Sequence, residues 1–174
     1  MATYTIDPAH STAHFSVKHM MITNVRGGIT SVTGTVTFDP ADPANSRIEA
    51  VLDATTIDTH EANRDTHLKS ADFLDTEQYP TITFKSTKVE ADGSDYKATG
   101  DLTIHGVTNS VVLNVDEPSP EGKDPWGNTR IGTSASTKIK RSDFGLNWNS
   151  ALETGGILVG DDLKIEIEIS AIKA

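Results

Sequence analysis

Alternation of apolar and polar positions runs through most of the chain. Val32, Gly34, Val36 and Phe38 alternate with Thr33, Thr35 and Thr37, the period-two pattern of a half-buried strand. Ile48, Ala50, Leu52 and Ala54 repeat it after the breaker Asp39-Pro40-Ala41-Asp42-Pro43. Ile82 and Phe84 lead a third segment that stops before Ala91-Asp92-Gly93-Ser94. Tyr96, Ala98, Gly100, Leu102 and Ile104 run to His105-Gly106, which suits a two-residue hairpin turn, and Val107 to Val115 returns from it. Two further strands follow, one through Ile131, Thr133, Ala135, Thr137 and Ile139, the other through Leu163, Ile165, Ile167, Ile169 and Ala171. In the second of these Lys164, Glu166, Glu168 and Ser170 must face water. Ser11 to Lys18 completes a set of eight. Eight mostly antiparallel strands can close on themselves and remove their edges. The pattern therefore predicts an all-β fold, an eight-stranded antiparallel barrel formed as a single domain by residues 1–174.

One stretch breaks the β pattern. Glu61 to Ser70 contains neither Gly nor Pro and predicts a short helical segment, capped by Thr59 or Asp58 and ending before Phe73 and Leu74. It has few apolar side chains of its own, so it suits a lid at the barrel mouth. Asp116 to Gly127 reads as a long hairpin loop, and Gly27-Gly28 as a bend. An eight-stranded barrel is wide enough for either packed side chains or one small ligand. Small residues on the strand faces (Gly34, Ala50, Ala54, Ala98, Gly100, Ala135) leave volume unfilled wherever they point inward, as a container requires.

Composition narrows the partners. The 174 residues carry a formal net charge of −10, which repels phosphate backbones and excludes nucleic acid as a natural partner. There is no cysteine, so disulfides and thiol chemistry are absent. Apolar runs never exceed three residues, far short of a membrane span. Met1 to Asp7 lacks a basic region followed by an apolar stretch. The expected compartment is thus the cytoplasm, or the periplasm for a trimmed mature form.

Six histidines raise the question of a metal or a catalytic base. His10 and His14 share a strand face, whereas His19 falls with Phe15 and Val17 on the other. His60 and His67 flank the helical segment. None matches H-E-x-x-H or another compact ligand set, so no metal is predicted. Asp7-Pro8-Ala9-His10-Ser11 holds the residue types of a hydrolase, but adjacent strand residues point to opposite faces, and no strained nucleophile elbow is present. A turn in which Asp7, His10 and Ser11 satisfy backbone groups is the simpler expectation. Arg64-Asp65 is read either as a functional anchor or, as the simpler expectation, as a helix-to-barrel salt bridge. Arg141-Ser142-Asp143-Phe144-Gly145 is read either as a turn with a satisfied ion pair or as a polar gate beside an aromatic wall. The competing functional class is a hydrolase or metal-dependent enzyme working in the same cavity.

Nine motifs occur in register along nearly the whole chain. They begin with Asp7-Pro8-Ala9-His10-Ser11, Phe15-Ser16-Val17-Lys18-His19 and Val25-Arg26-Gly27. They continue with Asn63-Arg64-Asp65-Thr66-His67-Leu68, Phe73-Leu74-Asp75, and Tyr79-Pro80-Thr81-Ile82-Thr83-Phe84. Gly100 to Thr108, Asp124-Pro125-Trp126-Gly127 and Arg141 to Gly145 complete the set. In these the chain resembles the YceI family of lipocalin-like, polyisoprenoid-binding proteins. The resemblance implies a lipocalin-like barrel around a polyisoprenoid or other long-chain lipid, with its head near the mouth. It also implies no catalytic residue, no cofactor and a homodimer; many members of the family are exported. Its ligands vary among quinones, prenyl pyrophosphates and fatty-acid derivatives. On this reading Phe15, Val17, Met20, Ile22, Leu68, Phe84, Leu102, Ile104, Phe144 and Trp148 line the tail, and His19, Arg26, Arg64 and His67 form the mouth.

Overall fold

The structure is a computed structural model that describes residues 1–153 and 156–174. In chain order its strands are β1 (Ala2–Ile6), β2 (Thr12–His19), β3 (Thr23–Ile29), β4 (Val32–Phe38), β5 (Arg47–Asp53) and β6 (Ile57–Asp58). The helix α1 (Ala62–Lys69) follows. Then come β7 (Thr81–Asp92), β8 (Asp95–Ile104), β9 (Val107–Val115), β10 (Gly122–Lys123), β11 (Thr129–Lys140) and β12 (Asp162–Lys173). Every strand pair is antiparallel.

The strand order β11-β9-β8-β7-β5-β4-β1-β12, with β12 paired back onto β11, closes an eight-stranded barrel. The strand number expected from sequence is correct, but its membership differs. The expected first strand is β2, whereas the ring position belongs to β1, which the alternation pattern did not reveal. Both share one edge of β12: β1 pairs through Ala171 to Lys173, and β2 through Lys164 to Glu168. A long strand can serve two short ones in tandem, so β2, β3 and β6 extend the wall beyond the ring.

Other boundaries shift for local reasons. The third expected strand runs on to Asp92, because the hairpin is made at Gly93-Ser94 and β7 pairs with β8 up to Asp92–Asp95. Gly27-Gly28 is not a bend; both lie inside β3, where Gly27 leaves room for the Phe15 ring. The hairpin at His105-Gly106 is as expected, with both residues at positive φ (55° and 71°) as a type I′ turn needs. Helix α1 is capped neither by Thr59 nor by Asp58. The Glu61 carboxylate accepts from the Asn63 and Arg64 amides instead, an acceptor at the positive end of the helix.

Asp7 and Arg130 tie the ring to the loop between β9 and β11. The Asp7 carboxylate takes the His10 imidazole at 2.8 Å and Arg130 Nη1 at 2.7 Å, while Arg130 Nε reaches Asp124 at 2.7 Å. These bonds hold the Asp7 carboxyl down at about 2, the Arg130 guanidinium contributing most and His10 next. Asp124 is lowered further, chiefly by Arg130. Ser11 is buried and its hydroxyl exchanges hydrogen bonds with the Ser170 backbone on β12. The segment is thus a turn that satisfies backbone groups, and the Ser11 hydroxyl is not engaged by His10.

Candidate functional site

The inward-facing side chains do not fill the barrel. A cavity of about 570 Å³ runs along its interior, within the range typical of small-molecule sites. The alternation of β12 places Leu163, Ile165, Ile167, Ile169 and Ala171 along it. Eight residue steps of strand span ~26 Å, or roughly 20 Å along the axis at an ordinary barrel tilt. Small residues create the bore: Ala50, Ala98 and Ala135 line it. Gly34 and Gly100 do not. An added Cβ at Gly100 would strike the Phe84 ring at 2.5 Å, so that glycine seats a side chain and opens no space.

One end is flanked by an aromatic pair. Phe38 and Tyr96 meet edge to face with centroids 5.4 Å apart, beside Val115, Ile131 and Ala171. The other end carries the polar groups. Helix α1 turns Asn63, Arg64, His67 and Leu68 toward the cavity, and Lys18, His19, Arg141 and Trp148 complete the rim. His67 is the centre of an aromatic cluster, 4.7 Å from Trp148 and 5.0 Å from Phe73 between ring centroids. Its Nε2 lies 2.9 Å from the Asp72 carboxylate, which fixes the ring orientation.

Arg64 and Asp65 do not pair with each other. Both grip Thr59: Arg64 donates to its hydroxyl (2.8 Å) and carbonyl (2.9 Å), and Asp65 accepts from its amide and hydroxyl. Those two donated bonds lower the Asp65 carboxyl, the Thr59 hydroxyl contributing most. Among the described residues no carboxylate lies within ion-pair distance of Arg64.

Arg141, read from sequence either in an ion-paired turn or at a polar gate, lines the cavity mouth but was not among the assigned site residues. Its side chain is 5% exposed. It donates to four backbone carbonyls, of Gly160 (2.8 Å), Leu146 (2.6 Å), Trp148 (2.8 Å) and Val159 (3.1 Å). The guanidinium thereby holds the segments that carry Trp148 and Val159 against the cavity mouth. Burial pushes its pKa down, partly offset by Asp161; Arg nonetheless stays charged. Asp161 does not pair with it but accepts from the Ser142 amide and hydroxyl.

Ten of the fourteen residues assigned from sequence line the cavity: Phe15, Val17, His19, Arg64, His67, Leu68, Phe84, Leu102, Ile104 and Trp148. Four do not. Met20 and Ile22 lie past the end of β2 in its hairpin turn and are 44% and 75% exposed. Arg26 is exposed on the outer face of β3, across from Ser16, because the alternation of that strand turns Val25 and Ile29 inward. Phe144 is 1% exposed but packs in the core within the turn Arg141–Phe144, outside the cavity lining. No group of three or more His, Asp or Glu among the described residues is placed to hold a metal ion.

The charge of the lining is uneven. It includes Lys18, His19, Arg64, His67 and Arg141 at the helix end, and no Asp or Glu at all, in a chain with ten more acidic than basic residues.

Residues 4–171 match the model of the YceI-like domain family. Protein YceI of Escherichia coli O17:K52:H18 is 42% identical over 147 residues, covering 83% of this chain and 76% of that protein. Among solved structures, BcnA of Burkholderia cenocepacia superposes with a TM-score of 0.82 at 25% identity, covering 95% of this chain and 98% of that one. A polyisoprenoid-binding domain from Saccharophagus degradans, implicated in plant cell wall breakdown, shares the fold at a TM-score of 0.71 and 16% identity, over the full length of both chains.

Proposed function

The chain belongs to the YceI-like domain family, and from that premise we propose that its barrel binds one long apolar lipid, a polyisoprenoid or isoprenoid quinone, for carriage or storage and without catalysis. The observation that carries this reading is the lining of the cavity: predominantly apolar along the strands, with Lys18, Arg64, His67 and Arg141 gathered at the α1 end. Apolar surface leaves water on entering such a bore, at ~0.8 kcal/mol per methylene. Ten buried carbons give roughly 8 kcal/mol, equivalent to micromolar affinity before ordering costs. The tail supplies the affinity and the length of the bore selects among tails. The head lies at the helix end, where Arg64, His19 and His67 meet electronegative oxygens; of these His67 is paired with Asp72, and no carboxylate lies within ion-pair distance of Arg64 among the described residues. A related fold that binds polyisoprenoid supports the ligand class. Lipid carriage is the function the geometry favours over an enzyme, because Asp7 and His10 pair on the outside of the wall while the Ser11 hydroxyl is committed to β12.

Native mass spectrometry of protein purified without detergent, followed by organic extraction, tests the proposal. A discrete added mass that extracts as a prenyl or long-acyl lipid is expected. A bare mass, in protein that also takes up no added isoprenoid quinone, would overturn it.

A further inference from the structure

Between β2 and β3 the chain turns through Met20 and Met21, with the Ile22 amide donating to the His19 carbonyl at 3.2 Å. Both central residues have positive φ, 53° and 62°. That is the backbone of a type I′ turn, which Asn-Gly or Asp-Gly makes readily and which residues with long side chains rarely accept. Strain of this kind persists where the surrounding structure enforces it, and it concentrates at functional segments. Here the enforcement is visible. The Met20 amide donates to the Leu158 carbonyl at 2.7 Å, and the Gly160 amide donates to the Lys18 carbonyl at 2.8 Å.

The strained turn displays apolar side chains. Met20, Met21 and Ile22 are 44%, 61% and 75% exposed, and Ile157 beside them is 42% exposed. Met21 sulfur rests against Gly156, where an added Cβ would approach it to 2.3 Å. The patch adjoins the mouth of the cavity, since Lys18, His19, Leu158 and Val159 all line it. Its charge is also exceptional. From Ser11 through Phe38 the chain has no Asp or Glu, although Lys18 and Arg26 lie within that stretch.

Resting on the lipid-binding reading, we propose that the Met20–Ile22 hairpin tip is a docking surface for a phospholipid bilayer, through which the cavity exchanges its lipid. Three observations select a bilayer over a protein partner. The patch presents on the order of 300 Å², well under the ~800 Å² per partner of a stable interface. Unbranched methionines adapt to a fluid surface without a shaped pocket. The hairpin's own stretch, Ser11 to Phe38, carries Lys18 and Arg26 and no Asp or Glu, so the tip itself adds no repulsion toward phosphate headgroups in a protein of net negative charge. Insertion of the tip brings the basic rim of the cavity to headgroup level, where a lipid head can be held while its tail enters.

The test uses the whole chain and vesicles of pure phosphatidylcholine, with an isoprenoid quinone as the cargo probe. The triple variant Met20→Asn, Met21→Gly, Ile22→Thr installs a favoured turn and should fold at least as stably. Ile22→Ser alone is the milder companion. Wild type is expected to co-float with vesicles, the triple variant to lose at least tenfold in partitioning and in quinone uptake from vesicles, and Ile22→Ser to fall between. Quinone supplied from detergent micelles should load both proteins equally. Absence of wild-type flotation, or equal flotation of the triple variant, would overturn the proposal. So would a variant that changes the monomer–dimer balance in sedimentation velocity while floating as wild type does, since the tip would then contact a second copy. Flotation that depends on the tip, in a protein that retains no quinone from either source, would support docking and sink the lipid-carrier reading alone.

Discussion

Filling the bore at its midpoint should convert a long-chain binder into a short-chain one. Ala135 on β11 lines the cavity and pairs with Ile167, the middle of the five residues that β12 contributes. A phenylalanine there projects a ring across the channel, between the His67–Trp148 rim and the Phe38–Tyr96 pair. A tail longer than half the bore then loses about five buried methylenes. At ~0.8 kcal/mol each this is ~4 kcal/mol, about a thousandfold in affinity. A tail that ends before the plug should lose less than threefold. Stability should change by no more than ~2 kcal/mol in either direction, because added burial offsets local overpacking. Titration calorimetry with an isoprenoid quinone series of increasing tail length measures both effects, and thermal unfolding of the apo variant checks the fold. Unchanged affinity for the longest tail in a stably folded Ala135→Phe would refute the idea that the ligand occupies the bore. An equal loss for short and long tails would refute the placement of the head at the helix end.

Arg141→Met removes donors from four backbone carbonyls. It should cost about 3 kcal/mol or more, some 6–12 °C in melting temperature for a chain of this size; Arg141→Lys should rescue little, since an ammonium cannot reach carbonyls on several segments at once. Arg26→Ala should leave lipid affinity within twofold by the same calorimetry, because the side chain lies outside the cavity. Asp7 has its carboxyl lowered from 3.8 to about 2 by Arg130 and His10. A depressed carboxyl stabilises the fold above its unfolded value and loses that contribution as pH falls through its folded one. Stability of the wild type should therefore drop between pH 4 and 2, and Arg130→Met should flatten that limb in urea titrations at stepped pH; an unaltered slope would remove Asp7 from the account.

The period-two pattern determined the interior of this barrel at the level of faces. Because side chains alternate strictly across a strand, Tyr96-Ala98-Leu102-Ile104 and Leu163 to Ala171 could be assigned inward without coordinates, and they line the cavity. The hairpin at His105-Gly106 was equally local, since one glycine next to a residue at positive φ defines it. The motifs in register brought the family. Alternation, however, carries no information about which strand pairs with which. Ser11 to Lys18 reads as a ring strand and β1 does not stand out, and only the tandem pairing along β12 shows which of them completes the ring.

Site residues beyond the strands were the least legible. Met20, Ile22 and Phe144 are apolar, and apolarity alone does not say whether a side chain faces a cavity, a packed core or water. A positive-φ turn carried the first two outside, and a 3₁₀ turn buried the third. Arg141 shows the reverse case: a charged residue, read from sequence in an ion-paired turn or a polar gate, is drawn inside because four carbonyls converge on it. The sequence by itself thus determined which faces are apolar, because that depends on neighbours two residues apart. Only the tertiary structure decided where those faces enclose space, because a void is a property of strands brought together from opposite ends of the chain and belongs to none of them alone.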